Sequence, residues 1–346
     1  MPFKILILKP SSLGDIIHAL PVLRLLKLHL PASQIYWWVD TRFSALIEGD
    51  PDLTGIVRFE RARWTSPRYW PEMIQSIRWM REQEFDWVID LQGLGRSAIF
   101  SWLARGKLLI GLDNEREGGR EGARAFYDLA IRSPKGAHAV DRLQSVLPVL
   151  GVPVHKNFQW LPERPQVAAK VKEKWPMITK ARWVAIQPGS RWPTKCWPTP
   201  YFTDMVQMLA QKFHDVHFAV MGSAEDKARA DIIYQAAPQR VLNLCGETTL
   251  QEMIEWLRLC SLMVTNDTGP MHVAAALGVP LIAPFGPTDP YSTGPYGQIE
   301  NVLRIDLPCA PCFKSHCRWH HPMECLTAIS PAMVYESAQR KLRSGN

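Results

Sequence analysis

The sequence predicts an α/β protein built as two successive doubly wound units, each a parallel sheet covered by helices. Two observations carry this prediction. Short β-rich runs alternate with helical stretches from the first residues onward, and the alternation restarts after a Pro-rich interruption near mid-chain. The length of 346 residues agrees, since domains commonly run about 100–200 residues.

In the first half the expected strands are Lys4 to Leu8, Gln34 to Val39, Gly55 to Phe59, Trp87 to Asp90 and Leu108 to Gly111. Between them, Ser66-Pro67 reads as an N-cap and first helical residue. Trp70, Met73, Ile74, Ile77 and Met80 follow at the spacing of an amphipathic helix. Residues 151 to 182 contain Gly151-Val-Pro, Leu161-Pro-Glu-Arg-Pro and Trp175-Pro, which break any regular element and mark the linker. The expected division is residues 1–165 and 166–346. The second half offers strands at Trp183 to Gln187, Val216 to Met221, Leu262 to Thr265 and Leu281 to Pro284. Its helices are expected near Pro200 to Phe213, Ala224 to Ala237, Leu250 to Cys260 and Pro270 to Leu277. Two such units suggest facing Rossmann-like domains with a ligand site in the cleft.

The apolar runs are only four to eight residues long, too short to cross a bilayer as helices. Met1-Pro-Phe-Lys leads directly into a strand-like run, not a signal peptide, so a cytoplasmic location is expected. A net charge of +7 with a pI near 9.0 points to an anionic partner. Nucleic acid is disfavoured, because the arginines are dispersed and no helix-turn-helix, RRM or zinc-finger pattern is present. Seven cysteines without an export signal argue for reduced thiols or a metal site over a disulfide framework.

Three motifs could carry chemistry. Lys9-Pro-Ser-Ser-Leu-Gly-Asp-Ile-Ile-His18 joins the first strand to the first helix, where an open α/β sheet binds ligands. Gly14 admits close backbone approach, Ser12 offers a hydroxyl, and Asp15 brings a carboxylate. Ser12 or Asp15 could equally be a helix cap, and His18 a packed helix residue. Gln187-Pro-Gly-Ser-Arg-Trp-Pro-Thr-Lys-Cys-Trp-Pro198 follows the first strand of the second half. Its Gly189, Ser190, Thr194 and Lys195 can surround a phosphate with amides, hydroxyls and one ammonium. A solvated lysine on a turn is the plain alternative. The sequence is not a Walker A loop. Thr265-Asn-Asp-Thr-Gly-Pro-Met-His272 runs from a strand through a polar turn into a helix opened by Pro270. Amides at Thr268 and Gly269 then form an anion site that suits a diphosphate. Asp267 would accept from a sugar hydroxyl or orient Lys195 or His272.

With these motifs and Phe285-Gly-Pro-Thr-Asp289 in order, the chain resembles glycosyltransferase family 9, the ADP-heptose:lipopolysaccharide heptosyltransferases, over nearly its whole length. Gly111-Leu-Asp, Arg120-Glu-Gly-Ala-Arg-Ala-Phe-Tyr127 and His138-Ala-Val-Asp-Arg142 look most like the heptosyltransferase I branch. The resemblance implies a GT-B fold with an N-terminal acceptor domain and a C-terminal ADP-heptose domain. It implies inverting transfer of heptose to the Kdo-lipid A inner core, on the cytoplasmic face of the inner membrane. It matches Asp15 to a catalytic base, assisted by Lys195. Donor-binding positions would be Ser190, Thr194, Lys195, Asp267, Thr268, Gly269 and His272. Glu225 would hold the adenosine ribose, although adjacent Asp226 leaves two registers. The acceptor side would comprise Ser12, Gly14 and His18 with Arg61, Arg63, Arg120 and Arg142, which could otherwise be surface arginines.

No cofactor is expected beyond the donor itself, and no metal for catalysis. One departure is Cys309-Ala-Pro-Cys312 with Cys317 and Cys325, interleaved with His316, His320 and His321. Four such ligands could make a structural metal site, although only one C-x2-C pair is present. Asp50-Pro-Asp52 reads as a structural turn, not a divalent-metal D-x-D. Two other readings stand beside transfer: a GT-B-like sugar-nucleotide epimerase and a non-catalytic protein binding anionic lipid or nucleotide.

Overall fold

The computed structural model describes residues 2–113 and 122–344, so the Arg120 assignment falls outside the described residues. The chain forms two compact units, Met1–Pro162 and Glu163–Asn346, divided within the Pro-rich stretch.

The first unit is a six-stranded parallel sheet of β1 (Lys4–Leu8), β2 (Gln34–Asp40), β3 (Gly55–Phe59), β4 (Trp87–Asp90), β5 (Leu108–Leu112) and β6 (Leu129–Ile131), in the order β3-β2-β1-β4-β5-β6. Its helices include α1 (Leu13–His29), α2 (Thr41–Ile47), α3 (Arg61–Trp64), α4 (Trp70–Glu82), α5 (Gly95–Ala104) and α6 (Ala139–Gln144). The central strand β1 is apolar on both faces, with Ile5 through Leu8 fully buried, as a strand covered on both sides requires. Helix α1 is buried along most of its length, so its apolar residues run all round, not as a stripe.

The second unit repeats the plan with β7 (Arg182–Gln187), β8 (Val216–Val220), β9 (Val241–Asn243), β10 (Cys260–Thr265), β11 (Leu281–Phe285) and β12 (Val302–Arg304), in the order β12-β11-β10-β7-β8-β9. A helix at Gly269–Ala276 follows β10, and one at Pro331–Ser344 closes the chain. Each sheet reverses its winding beside its first strand, at β1/β4 and at β7/β10. The carboxyl ends of those strand pairs are where such sheets open a crevice.

Two local expectations change. The edge strands β6, β9 and β12 were not anticipated. Ser66-Pro67 opens a 3-10 turn over Pro67–Tyr69, and the α-helix starts only at Trp70. The Asp50-Pro-Asp52 turn proves structural: buried Arg24 pairs with Asp50 at 2.5 Å and Asp52 at 2.6 Å, and Asp50 accepts from the Asp52 amide.

Candidate active site

In the first unit the crevice end of β1 leads directly into α1. Ser12 caps the helix, and both its amide (2.8 Å) and its hydroxyl (2.7 Å) donate to Oδ2 of Asp15. The capping role foreseen for Asp15 is therefore real. It does not exhaust the residue, which remains half-exposed on the helix's first turn. Gly14 is buried beside it. His18, one turn further, is only 3% exposed and packs edge-on against His138, with ring centroids 5.3 Å apart. Its place is in the packing beneath the loop.

The sequence did not single out three residues that complete this end of the sheet. Lys9 is buried, and its ammonium donates to the Leu91 carbonyl at 3.0 Å. Burial pushes its pKa down, Asp15 and Asp90 oppose that fall, and Arg142 adds to it. Arg142 on α6 itself donates to the Ala137 carbonyl at 3.1 Å. Asp90, at the end of β4, is fully buried and accepts from the Gln92 and Gly93 amides and from the Tyr127 hydroxyl at 2.7 Å. Burial raises the Asp90 pKa against those donors, and it also raises that of Tyr127. Gly111 is required here, because a Cβ would enter the Tyr127 ring. Strand ends are where such ligating residues gather, but pairing Asp90 with Tyr127 needs the fold.

The arginines separate. Arg61 lines a cavity of about 220 Å³ with Ser11, Trp38, Phe59, Trp64 and Arg96. The Trp38 and Phe59 rings there are stacked, 4.0 Å apart and 6° from parallel. Arg63 instead pairs with Glu60 at 3.1 Å and lies over the Tyr69 ring.

In the second unit, the loops after β7 and β10 meet. Lys195 pairs with Oδ2 of Asp267 at 2.7 Å, and Thr288 donates to the same oxygen at 2.6 Å. The Ser190 hydroxyl donates to the Asp267 carbonyl at 3.1 Å. Buried Asn266 ties the loops by accepting from the Trp197 amide and donating to the Pro188 carbonyl. Lys195, one of the partners considered for Asp267, is thus brought to its carboxylate. Thr268 is the N-cap of the helix at Gly269–Ala276, Pro270 lies in its first turn, and His272 is buried on it. First-turn amides at such an end have no partner within the helix. Thr194 is buried, and its hydroxyl donates to the Lys314 carbonyl at 2.8 Å. It stabilises the turn that presents Lys195.

The adjacent acids after β8 also separate. Asp226 is buried, accepts from the Ser223 amide and hydroxyl, and pairs with Arg229 at 2.9 Å. Its carboxylate occupies the space a Cβ at Gly189 would need, which explains that glycine. Glu225 is exposed on the same turn.

Cys309, Cys312, Cys317 and Cys325 are free, and among the described residues no three His, Cys, Asp or Glu side chains group to hold a metal ion. Burial, with a smaller contribution from the other three thiols, pushes Cys325 up to about 11. Its sulfur packs near Gly286, whereas exposed Cys317 accepts from the Met323 amide. The segment supports the β7 and β11 loops through Thr194–Lys314 and a Phe313 amide bond to Pro287.

The model of glycosyltransferase family 9 (heptosyltransferase) matches residues 73–322. The chain is 31% identical to lipopolysaccharide heptosyltransferase 1 of Pseudomonas aeruginosa, with 96% of each chain covered. It is 28% identical to lipooligosaccharide heptosyltransferase 2 of Campylobacter jejuni, with 99% of each covered. An Escherichia coli heptosyltransferase solved with ADP shares the fold, with a TM-score of 0.78, 23% identity, and 99% of this chain and 100% of that one covered. The chain is a glycosyltransferase and belongs to family 9, the heptosyltransferases.

Proposed function

We propose that the chain transfers heptose from ADP-heptose to the Kdo-lipid A inner core during lipopolysaccharide synthesis, with inversion at the anomeric carbon. The observation that carries this reading is that all three motif loops lie at the crevice ends of β1, β7 and β10. Names of relatives spanning nearly the whole chain support the substrate class. The first unit supplies acceptor groups and the second supplies donor groups.

In the proposed reaction, Asp15 takes the proton of an acceptor hydroxyl as that oxygen bonds to the anomeric carbon. The bond from that carbon to the diphosphate breaks, and ADP leaves with the electron pair. Lys195 and the Thr268–Gly269 amides oppose the charge growing on the diphosphate. Glu225 accepts from the ribose, and Ser190 and His272 complete the donor side. Arg61 and Arg142 hold the acidic acceptor beside Ser12. No metal ion is assigned to the chemistry. Among the described residues no helix is long and apolar enough to cross a membrane. We place the enzyme in the cytoplasm, peripheral on the inner membrane.

Mass analysis after mixing the protein with ADP-heptose and Kdo-lipid A tests this reading, with and without chelator. A heptose added to the lipid and an equivalent of ADP are expected in both. An epimer formed from the nucleotide-sugar alone, or binding without ADP release, would replace transfer with one of the two rival readings.

A further inference from the structure

The outer faces of α4 and α5 carry large apolar side chains that remain largely exposed, the Trp102 ring meeting only the edge of Phe126 at 6.4 Å among the rings of the described residues. Trp70 and Ile74 on α4 are 50% and 44% exposed, and Ile99 and Trp102 on α5 are 43% and 56% exposed. The two helices pack against each other in the first unit. Large apolar side chains exposed on adjoining helices mark a candidate interaction surface.

Arginines outnumber acids here. Segment 61–82 carries Arg61, Arg63, Arg68, Arg78 and Arg81 against Glu72 and Glu82, α5 carries Arg96 in its first turn, and Arg105 follows it. Among the described residues Arg63 pairs with Glu60, whereas Arg68, Arg78, Arg96 and Arg105 form no ion pair. Tryptophan favours the boundary between water and lipid, where its ring is buried and its N–H stays wet. Arginine beside it reaches anionic headgroups while its stem lies on apolar surface. Ile74 and Ile99 offer nothing to stack on a nucleobase, so aliphatic and aromatic groups amid unpaired guanidinium groups fit a lipid surface better than a nucleic acid.

We infer that the α4–α5 face of the first unit docks on a bilayer rich in anionic headgroups, with Trp70 and Trp102 entering the interface. The same helices contribute Met73, Arg96 and Phe100 to the 220 Å³ cavity. Docking there would bring that cavity to the lipid surface. The inference extends the reading of a lipid-borne acceptor, but it is tested on vesicles that contain none, so either can fail alone.

The full chain is floated with vesicles of phosphatidylglycerol and phosphatidylcholine, and with phosphatidylcholine alone. Binding to the anionic vesicles is expected to weaken at least tenfold in Trp70→Ser/Trp102→Ser and in Arg68→Gln/Arg78→Gln/Arg105→Gln. The arginine-dependent part should fade with salt, because screening acts over about 8 Å at physiological ionic strength. Brominated acyl chains should quench wild-type tryptophan emission and spare much of it in the double variant. Turnover on a de-acylated acceptor should be unchanged in both variants, which also establishes that they fold. The inference is overturned if the wild type ignores anionic vesicles, or if both variants bind as it does. It is equally overturned if Trp102→Ser dissolves a dimer, which would make the face an interface between copies, or if the wild type prefers a single-stranded oligonucleotide to the vesicles.

Discussion

The ammonium of Lys195 and the carboxylate of Asp267 lie 2.7 Å apart, joining the loop after β7 to the loop after β10. Asp267 is buried and also accepts from Thr288, so its carboxylate fixes the direction of the Lys195 ammonium. Lys195→Ala should therefore lower both ADP-heptose affinity and turnover, the latter by roughly 10²–10³-fold for a lost charge-stabilising donor. Asp267→Asn keeps the ammonium but frees its direction. Turnover should fall while ADP affinity is held or improved, because one negative charge has left the site. Calorimetric ADP binding beside single-turnover rates separates the two; weaker ADP binding in Asp267→Asn would make the carboxylate a direct ligand.

The neighbouring acids after β8 give a second test. Asp226 is tied to Ser223 and Arg229, and Glu225 on the same turn is exposed. Glu225→Gln should weaken ADP binding roughly ten- to hundredfold with the melting temperature unchanged, the loss of one charged hydrogen bond. Asp226→Ala should chiefly lower the melting temperature, because it strips acceptors from a buried cap. Thermal melts and ADP titrations of both variants check the assignment, and reversed results would shift the ribose contact by one residue.

How far the sequence reached follows from these residues. Long, strongly apolar strands such as β1 and β7 could be placed from their composition, and the loops after them fell at the crevice because the winding order dictates it. The three-residue edge strands β6, β9 and β12 are too short to show a period. Asp15 and Lys195 were visible because they sit inside motifs. Lys9 and Tyr127 also lie inside motifs and Asp90 ends a predicted strand, but nothing along the chain announces that the Lys9 ammonium is buried or that the Tyr127 hydroxyl will reach the carboxylate at the end of β4.

The Tyr127–Asp90 contact carries a pH prediction. Burial raises the Asp90 pKa, and the phenol opposes that rise by donating to the carboxylate. Tyr127→Phe removes the donor and should raise it further. A buried acid with a raised folded pKa costs stability once pH climbs above the unfolded value near 3.9, and the full cost is reached above the folded value. The variant's deficit should then be small near pH 4 and grow toward pH 8, to about 1–3 kcal/mol. Denaturant melts across that range measure it. A deficit independent of pH would mean that Asp90 stays protonated throughout.

Asp15→Asn is the most direct test of mechanism, because the structure shows the side chain already performing a structural task. Its Oδ2 accepts both donors of Ser12, and an asparagine oxygen can accept the amide in its place. Losing the charge from the first turn of α1 should cost only about 0.3–1 kcal/mol of stability. If Asp15 were no more than a cap, turnover would follow that small change. As the base it must take a proton, which an amide cannot do, and turnover should fall by roughly 10²–10⁴-fold. Donor affinity should hardly move, since Asp15 belongs to the first unit and Lys195, Asp267 and Thr268 to the second. Single-turnover transfer, ADP-heptose binding and thermal melting are measured together on wild type and variant. A folded Asp15→Asn protein that transfers heptose at near-normal rate would leave Asp15 as a cap, and His18 could not readily replace it, because that ring is packed against His138 beneath the loop.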